Sequence, residues 1–464
     1  MQSRTRSLLF ALVIAFFVLV APLLLLYARG YSFKPESRSV VRTGMILIDS
    51  NLPKLTVTID SGEPKVENDP IVLRGLEAGR YHVRLEREGF VSWEADLTVE
   101  VEKVTRVDDV VMLYQKPDDQ QPITNSVGSF AVSPNSRYIA YNVTEGREAG
   151  LWLHTNGNEE NRQLVEPYQL DPAQVTDLRW SHNSRLLLIH DKAGQYYYLT
   201  PHVSDPKLIS LELIKGVPLS EIELDRDEPT IVYYRDTQQR LYRWRTAREQ
   251  SAPERLATSV LDFVAVSPKL FTLSSAKEEL AVHSYDMREA EPNAVEIARL
   301  PGSSGELLAP SATQLAALAD GTLYLLDQID GEFTFRSLAT EVQTSQWSPD
   351  GQLLWYQKGA ELWVHDEEPV ADDAPEYLVT RLSNTPDSIE WYPDGRHLSL
   401  NYIDDASLKL SLLHLSRTAA QIATVGTFNT TKPLQFTGGG SDVVYIPSDH
   451  QTGLRFATIT EEPD

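Results

Sequence analysis

The sequence predicts an all-β chain with one N-terminal transmembrane helix: a small antiparallel β module, then an eight-bladed β-propeller, with seven blades as the alternative count. Three observations predict this. Residues 8–27 are an unbroken apolar run, residues 44–115 alternate apolar and polar side chains with period two, and from residue 126 the chain repeats with a period near 44 residues. A run of that length matches a membrane span, period two is the strand signature, and several strands per 40–45 residues point to propeller blades.

The 20 residues of the apolar run contain no charge. At about 1.5 Å per residue they would cover roughly 30 Å, the thickness of the hydrocarbon layer. Pro22 is compatible with a membrane helix. Arg4 and Arg6 precede the run, and Arg29, Lys34, Arg38 and Arg42 follow it, so charge orients it only weakly. The expected reading is an uncleaved signal-anchor: residues 1–7 as a cytoplasmic tail, 28–43 as a linker, and the bulk of the chain outside the cytoplasm at the cell membrane. A cleaved signal peptide is the alternative. Against it, the run exceeds the usual apolar region and Tyr27-Ala28-Arg29-Gly30 is a poor cleavage site.

The 464 residues hold 42 basic and 66 acidic side chains, for a net charge of −24. That balance argues against a nucleic-acid binder, because phosphates attract Lys and Arg. Residues 1–42 carry six basic side chains and one acid, so the negative excess lies wholly in the rest. Cysteine is absent, which removes disulfides, thiolate metal sites and cysteine nucleophiles.

In the β module, Leu55, Val57 and Ile59 fall on one face, as do Tyr81, Val83 and Leu85, and Leu97, Val99 and Val101. Asp60-Ser61-Gly62, Asn68-Asp69-Pro70, Ala78-Gly79 and Glu88-Gly89 are turns between them. With no helical stretch, residues 44–115 read as an antiparallel β-sandwich. The opening Gly44-Met45-Ile46-Leu47-Ile48, the stretch from Leu73 through Gly75, Gly79 and Tyr81 to Leu85, and Glu88-Gly89-Phe90-Val91-Ser92-Trp93 together resemble a PEGA domain. The name-giving tetrapeptide is replaced by Leu52-Pro53-Lys54-Leu55. The resemblance implies a non-catalytic module typical of exported prokaryotic surface proteins. Core packing is the expected role of Tyr81, Phe90 and Trp93, with carbohydrate stacking as the alternative.

Residues 116–464 form the repeat array. Its second strands include RYIAYNV from Arg137, RLLLIHD from Arg185, TIVYYRD from Thr230, QLLWYQK from Gln352 and RHLSLNY from Arg396, and eight such strands start 38 to 48 residues apart. A turn precedes them, sharpest at Trp347-Ser348-Pro349-Asp350-Gly351 and Trp391-Tyr392-Pro393-Asp394-Gly395, degenerate at Val132-Ser133-Pro134-Asn135-Ser136 and Trp180-Ser181-His182-Asn183-Ser184. Proline leaves the ladder and Asp-Gly or Asn-Ser reverses the chain, while the preceding Trp or Val is expected to pack between blades. The motif resembles the TolB-type, WD-like propeller repeat. The last unit lacks an outer strand, and residues 120–124 are expected to supply it, removing an exposed edge.

Chemistry is scarce. No G-x-S-x-G, phosphate-binding loop or H-E-x-x-H is present, and Gly438-Gly439-Gly440-Ser441-Asp442 reads as a turn. His154, His283 and His365 fall at equivalent places in different units, too far apart to share a metal. Asp225-Arg226-Asp227-Glu228 lacks the rest of a calcium loop. Glu367-Glu368, Asp372-Asp373 and Asp404-Asp405 read as solubilising loop acids, and Tyr196-Tyr197-Tyr198 and Tyr233-Tyr234 as inter-blade rings with some free to line a binding face. No catalytic, cofactor-binding or metal residue is assigned. The expectation is a membrane-anchored extracytoplasmic scaffold, not an enzyme, with a protein or glycan partner in the cell envelope and no nucleic acid. The alternative is a propeller hydrolase or lyase acting on envelope polysaccharide or peptide. It would need carboxylates from several blades converging at the central channel. A membrane-tethered sensor is a third reading.

Overall fold

The computed structural model describes residues 13–21, 31–34, 39–120, 122–156, 160–211, 219–226, 228, 230–245, 252–289, 291–329, 332–370, 373–448 and 453–461. Within the apolar run, residues 13–21 are helical, and the remainder of 8–27 lies outside the described residues. No described helix is long and apolar enough to cross a membrane. The nine described helical residues rise about 14 Å, against the roughly 30 Å of the hydrocarbon layer. This corrects the expected transmembrane helix, and with it the placement as a single-pass cell-membrane protein with its bulk on the extracytoplasmic side.

The chain divides into two compact units: residues 1–116 with 414–423 and 460–464, and residues 117–413 with 424–459. In the first unit, Lys65–Asn68, Lys54–Ile59, Gly79–Glu86 and Trp93–Val99 form a four-stranded sheet in that order. Ile71–Leu76, Gly44–Ser50 and Val104–Val110 form a three-stranded one. Gly44–Ser50 pairs with Val104–Val110 in parallel, so this sheet is mixed rather than purely antiparallel. Alternation sends Leu55, Val57, Val83, Leu85, Leu97 and Val99 into one core with Ile46, Ile48 and Val107, as period two dictates. Phe90 and Trp93 are buried there and Tyr81 packs against it. Val101 lies past the end of its strand and is exposed.

The second unit holds eight four-stranded antiparallel sheets among the described residues, numbered here as blades 1 to 8. Their innermost strands are Val127–Val132, Val175–Trp180, Leu219–Leu224, Val260–Val266, Gly305–Ser311, Thr344–Trp347, Ser388–Trp391 and Gln435–Thr437. Seven blades take their strands in chain order, and blade 8 takes its outermost strand, Asp118–Asp119, from upstream. Asp118 and Asp119 pair with Thr458 and Ala457. Backbone bonds continue from Gln120 N–H to Phe456 O (2.9 Å) and from Ile123 N–H to Leu454 O (3.1 Å). Side chains of blades 1 and 8, among them Phe130, Tyr141, Val444 and Phe456, share one core cluster, so the last blade closes onto the first.

The recurrent turn is built the same way in several blades. Ser348 Oγ accepts from Leu353 N–H (2.9 Å) and Asp350 Oδ1 from Gln352 N–H (3.0 Å). Ser181 and Asn183 do this for Leu186 and Arg185, and Ser133 and Asn135 for Tyr138 and Arg137. The turn ends in a left-handed residue, Gly351, Ser136 or Ser184. The tryptophan ahead of the turn fastens two blades: Trp180 Nε1 donates to Ala131 O (2.9 Å) and Trp347 Nε1 to Leu308 O (3.2 Å). Trp180→Phe keeps the ring packing and strands the Ala131 carbonyl, so thermal unfolding should register a loss of about 1–2 kcal/mol. An unchanged melting temperature would show that the bond is dispensable.

Candidate functional site

The innermost strand of a blade spends one edge on its second strand. The backbone groups of the other edge need partners, and here neighbouring blades provide them with side chains. Val132 N–H donates to Gln435 Oε1 (2.7 Å), Ala265 N–H to Glu223 Oε2 (3.2 Å) and Leu307 N–H to Asp262 Oδ2 (2.6 Å). Carbonyl oxygens are met by Arg226, whose guanidinium donates to Pro310 O (2.6 Å) and Ala309 O (3.0 Å), and by Arg179, which donates to Ile222 O (3.4 Å).

On blades 3 to 5 these contacts gather carboxylates. In Leu219–Leu224, Ile222 and Leu224 are buried in an inter-blade core, which by alternation turns Glu221 and Glu223 to the opposite face. Asp262 and Glu306 stand on the innermost strands of the next two blades. Burial pushes the Glu223 carboxyl up to about 7, further than the Ala265 N–H and the Arg226 charge can pull it down, and Glu221 and Asp262 add to the rise. Burial also raises Glu221, with Asp262 adding to it and Arg235 opposing; the Glu221–Arg235 ion pair is 3.0 Å long. Asp262 is raised by burial against the N–H groups of Leu307 and Phe263. Glu306 is raised by burial and then by Asp262, and Glu390, on blade 7, by burial alone. Glu223, raised into the neutral range beside other raised acids, is suited to proton transfer.

The residues singled out by sequence lie elsewhere. His154 meets Asn161 (3.0 Å) and the Phe456 ring, His283 faces Glu296 (3.9 Å), and His365 is buried against Glu376 (3.0 Å). Each stays within its own part of the ring, and no set of three or more potential metal ligands forms among the described residues. Asp225 accepts from Glu228 N–H (3.0 Å) and from the Tyr233 hydroxyl (3.3 Å), as a turn residue does; Asp227 and Asp372 lie outside the described residues. Asp404 and Asp405 are exposed at a hairpin tip, and Gly438–Gly440 form a short 3-10 turn. Tyr234 stacks on Tyr242 at 5.0 Å and Tyr196 on His190 at 4.4 Å. The first unit carries a polar recess of about 420 Å³ beside Thr56, Arg84, Arg87 and Phe90. Its arginines are already paired, Arg84 with Glu86 (2.7 Å) and Arg87 with Glu461 (2.9 Å). The axial carboxylates escaped the sequence reading because the repeats were aligned on their second and third strands. Leu219-Ser220-Glu221-Ile222-Glu223-Leu224, aligned as an innermost strand, carries the signal.

Residues 43–112 match the PEGA domain. The chain therefore joins a PEGA domain to a β-propeller. No curated protein matches it. Among solved structures it is similar to a eukaryotic initiation factor, with a TM-score of 0.48 and 13% identity over 75% of this chain and 91% of that one. It is also similar to the C-terminal WD40 domain of Sif2, at 0.47 and 14% over 75% and 99%, and to the β-propeller domain of Myceliophteria thermophila Cps50 (Swd1), at 0.43 and 10% over 74% and 100%.

Proposed function

We propose that this protein is a non-catalytic scaffold whose propeller presents loops to a protein partner. The observation that carries the reading is the use of the axial polar groups. Glu223, Asp262, Arg226, Gln435 and Trp180 each bond the backbone of another blade, so they supply rigidity to a ring that holds its loops in fixed positions. With a net charge of −24 and Glu368, Asp404 and Asp405 exposed, a partner with a basic face is favoured. Tyr168 and Val370, 85% and 75% exposed, are sites for a photo-cross-linking amino acid. The expected result in intact cells is a discrete protein adduct that weakens when Glu367, Glu368, Asp404 and Asp405 become amides. Absence of any adduct from either position would count against the scaffold.

One observation favours a second reading. Glu223 and its neighbours supply the raised carboxylates that a hydrolase or lyase requires. Turnover of a polysaccharide or peptide by the purified chain, abolished in both Glu223→Gln and Asp262→Asn, would establish it in place of the scaffold.

A further inference from the structure

We propose that Thr460 and Glu461, just past the strand Arg455–Thr458, are a strap that completes the PEGA domain and sets its stability. They belong to the first compact unit, with residues 1–116 and 414–423. The family match ends at residue 112, and the strap is fastened there. Asn51 Oδ1 accepts from Met112 N–H (2.8 Å), Met112 O accepts from the Thr460 hydroxyl (2.5 Å), and Thr460 Oγ1 accepts from Asn51 Nδ2 (2.7 Å). The three bonds close a cycle, and the hydroxyl has one orientation in it, because a carbonyl only accepts and an amide nitrogen only donates. Thr460 is 2% exposed, and Met112 is fully buried in the PEGA core. Asn51 also donates its own N–H to Val110 O (3.1 Å). The cycle therefore joins the ends of the parallel pair, Gly44–Ser50 and Val104–Val110, to the strap. Glu461 adds a second contact: Arg87 reaches its two carboxylate oxygens (2.9 and 3.3 Å), and the same guanidinium lies over the Phe90 ring at 5.2 Å.

The two contacts differ in weight. Arg87 and Glu461 are each about a third exposed, and a solvated ion pair adds little. The hydroxyl acts in a buried position. Without it, Asn51 Nδ2 and Met112 O both lose a partner, and a stranded buried group costs more than its bond contributes. The hydroxyl therefore carries most of the strap. A second strip from far along the chain joins the same unit: Ala419 is part of the PEGA core, and His414 Nε2 bonds Asp108 O (2.8 Å). Residues 43–112 thus precede the propeller in the chain, yet they are completed by residues that follow most or all of it. Lifting or cutting the strap loosens the PEGA domain while the blades keep their own bonds.

Hydrogen exchange of the full chain and its variants reads this directly. In Thr460→Val, peptides over residues 50–53 and 110–114 should exchange about tenfold faster than in the wild-type chain. Thr460→Ser keeps the hydroxyl and should leave their rates as they are. Glu461→Gln should change them by less than about fivefold. The blade 4 peptide Val260–Val266 should be unaffected in all three variants. Wild-type rates over residues 110–114 in Thr460→Val would overturn the proposal. So would equal loosening of Val260–Val266, or loosening in Thr460→Ser as large as in Thr460→Val. If the valine variant fails to fold, a chain cut after Ile459 decides the matter: it should loosen residues 110–114 by at least about tenfold, and full protection there would overturn the proposal.

Discussion

Replacing Gly453 with alanine should unfasten the ring where its two chain ends meet. Gly453 has φ +73, and a Cβ there would lie 1.5 Å from Thr124 O. That oxygen is backbone and cannot swing aside: it belongs to the strip that completes blade 8, where Leu454 N–H donates to it (3.2 Å). The strip is held further along by Asp119, which accepts from the Tyr445 hydroxyl (2.9 Å) and the Arg455 guanidinium (3.0 Å). Ile123 packs into the core shared by blades 1 and 8. Alanine therefore brings left-handed strain, at least two broken backbone bonds and a disturbed core, together about 3–5 kcal/mol. Gly194→Ala separates these effects, because Gly194 has φ +78 with nothing within 4 Å of its added Cβ, leaving strain alone at about 1–2 kcal/mol. Thermal unfolding of the two variants is the comparison. A Gly453→Ala chain no less stable than Gly194→Ala would mean that the strip does not hold the ring shut.

What could be read from the sequence, and what could not, follows from where side chains report on structure. The propeller was legible because each blade announces itself twice, by an apolar second strand such as RLLLIHD and by a turn such as Trp-Ser-Pro-Asp-Gly whose residues have one geometry available. The PEGA domain was legible because Leu55, Val57, Val83, Leu85, Leu97 and Val99 all fall on the buried face. The parallel pairing of Gly44–Ser50 with Val104–Val110 was hidden, since alternation reveals a face but not a neighbour. The transmembrane helix is not supported, since no described helix is long and apolar enough to cross a membrane. The axial carboxylates were missed for a different reason. Glu221, Glu223, Asp262 and Glu306 look like ordinary surface acids until the ring brings successive innermost strands together, and that meeting is set by closure, not by any local motif.

The hairpins between second and third strands carry the second large effect. Asp191 and Asp236 end the second strands of blades 2 and 3 and do the same work: each Oδ1 accepts the N–H four residues on, from Gln195 (2.8 Å) and Arg240 (3.0 Å). Asp236 also takes the Gln238 N–H (2.8 Å) and the Arg240 Nε (2.7 Å), and it is only 1% exposed. Burial alone would raise its carboxyl, but the N–H donors and the Arg240 charge outweigh burial and hold it below the ordinary aspartate value. Asp236→Ala leaves these donors stranded, at a cost of about 2–4 kcal/mol at neutral pH. Asp236→Asn keeps one acceptor and should cost less. A lowered carboxyl contributes stability that is present above the ordinary aspartate value and is lost as pH falls through the folded one. The gap in melting temperature between wild type and Asp236→Ala should therefore be constant from neutral pH down to about pH 4 and narrow below it. A gap that widens on acidification, or an alanine variant as stable as wild type at pH 7, would show that the turn is held by something other than this carboxylate. The direction is opposite to that of Glu223, on the neighbouring strand of the same sheet. One blade thus holds an acid that neutral pH keeps charged and useful, and another that neutral pH leaves divided between its two forms. The surroundings decide which: Asp236 faces several donors, while at Glu223 burial outweighs one N–H donor and the Arg226 charge, with two other acids adding to the rise.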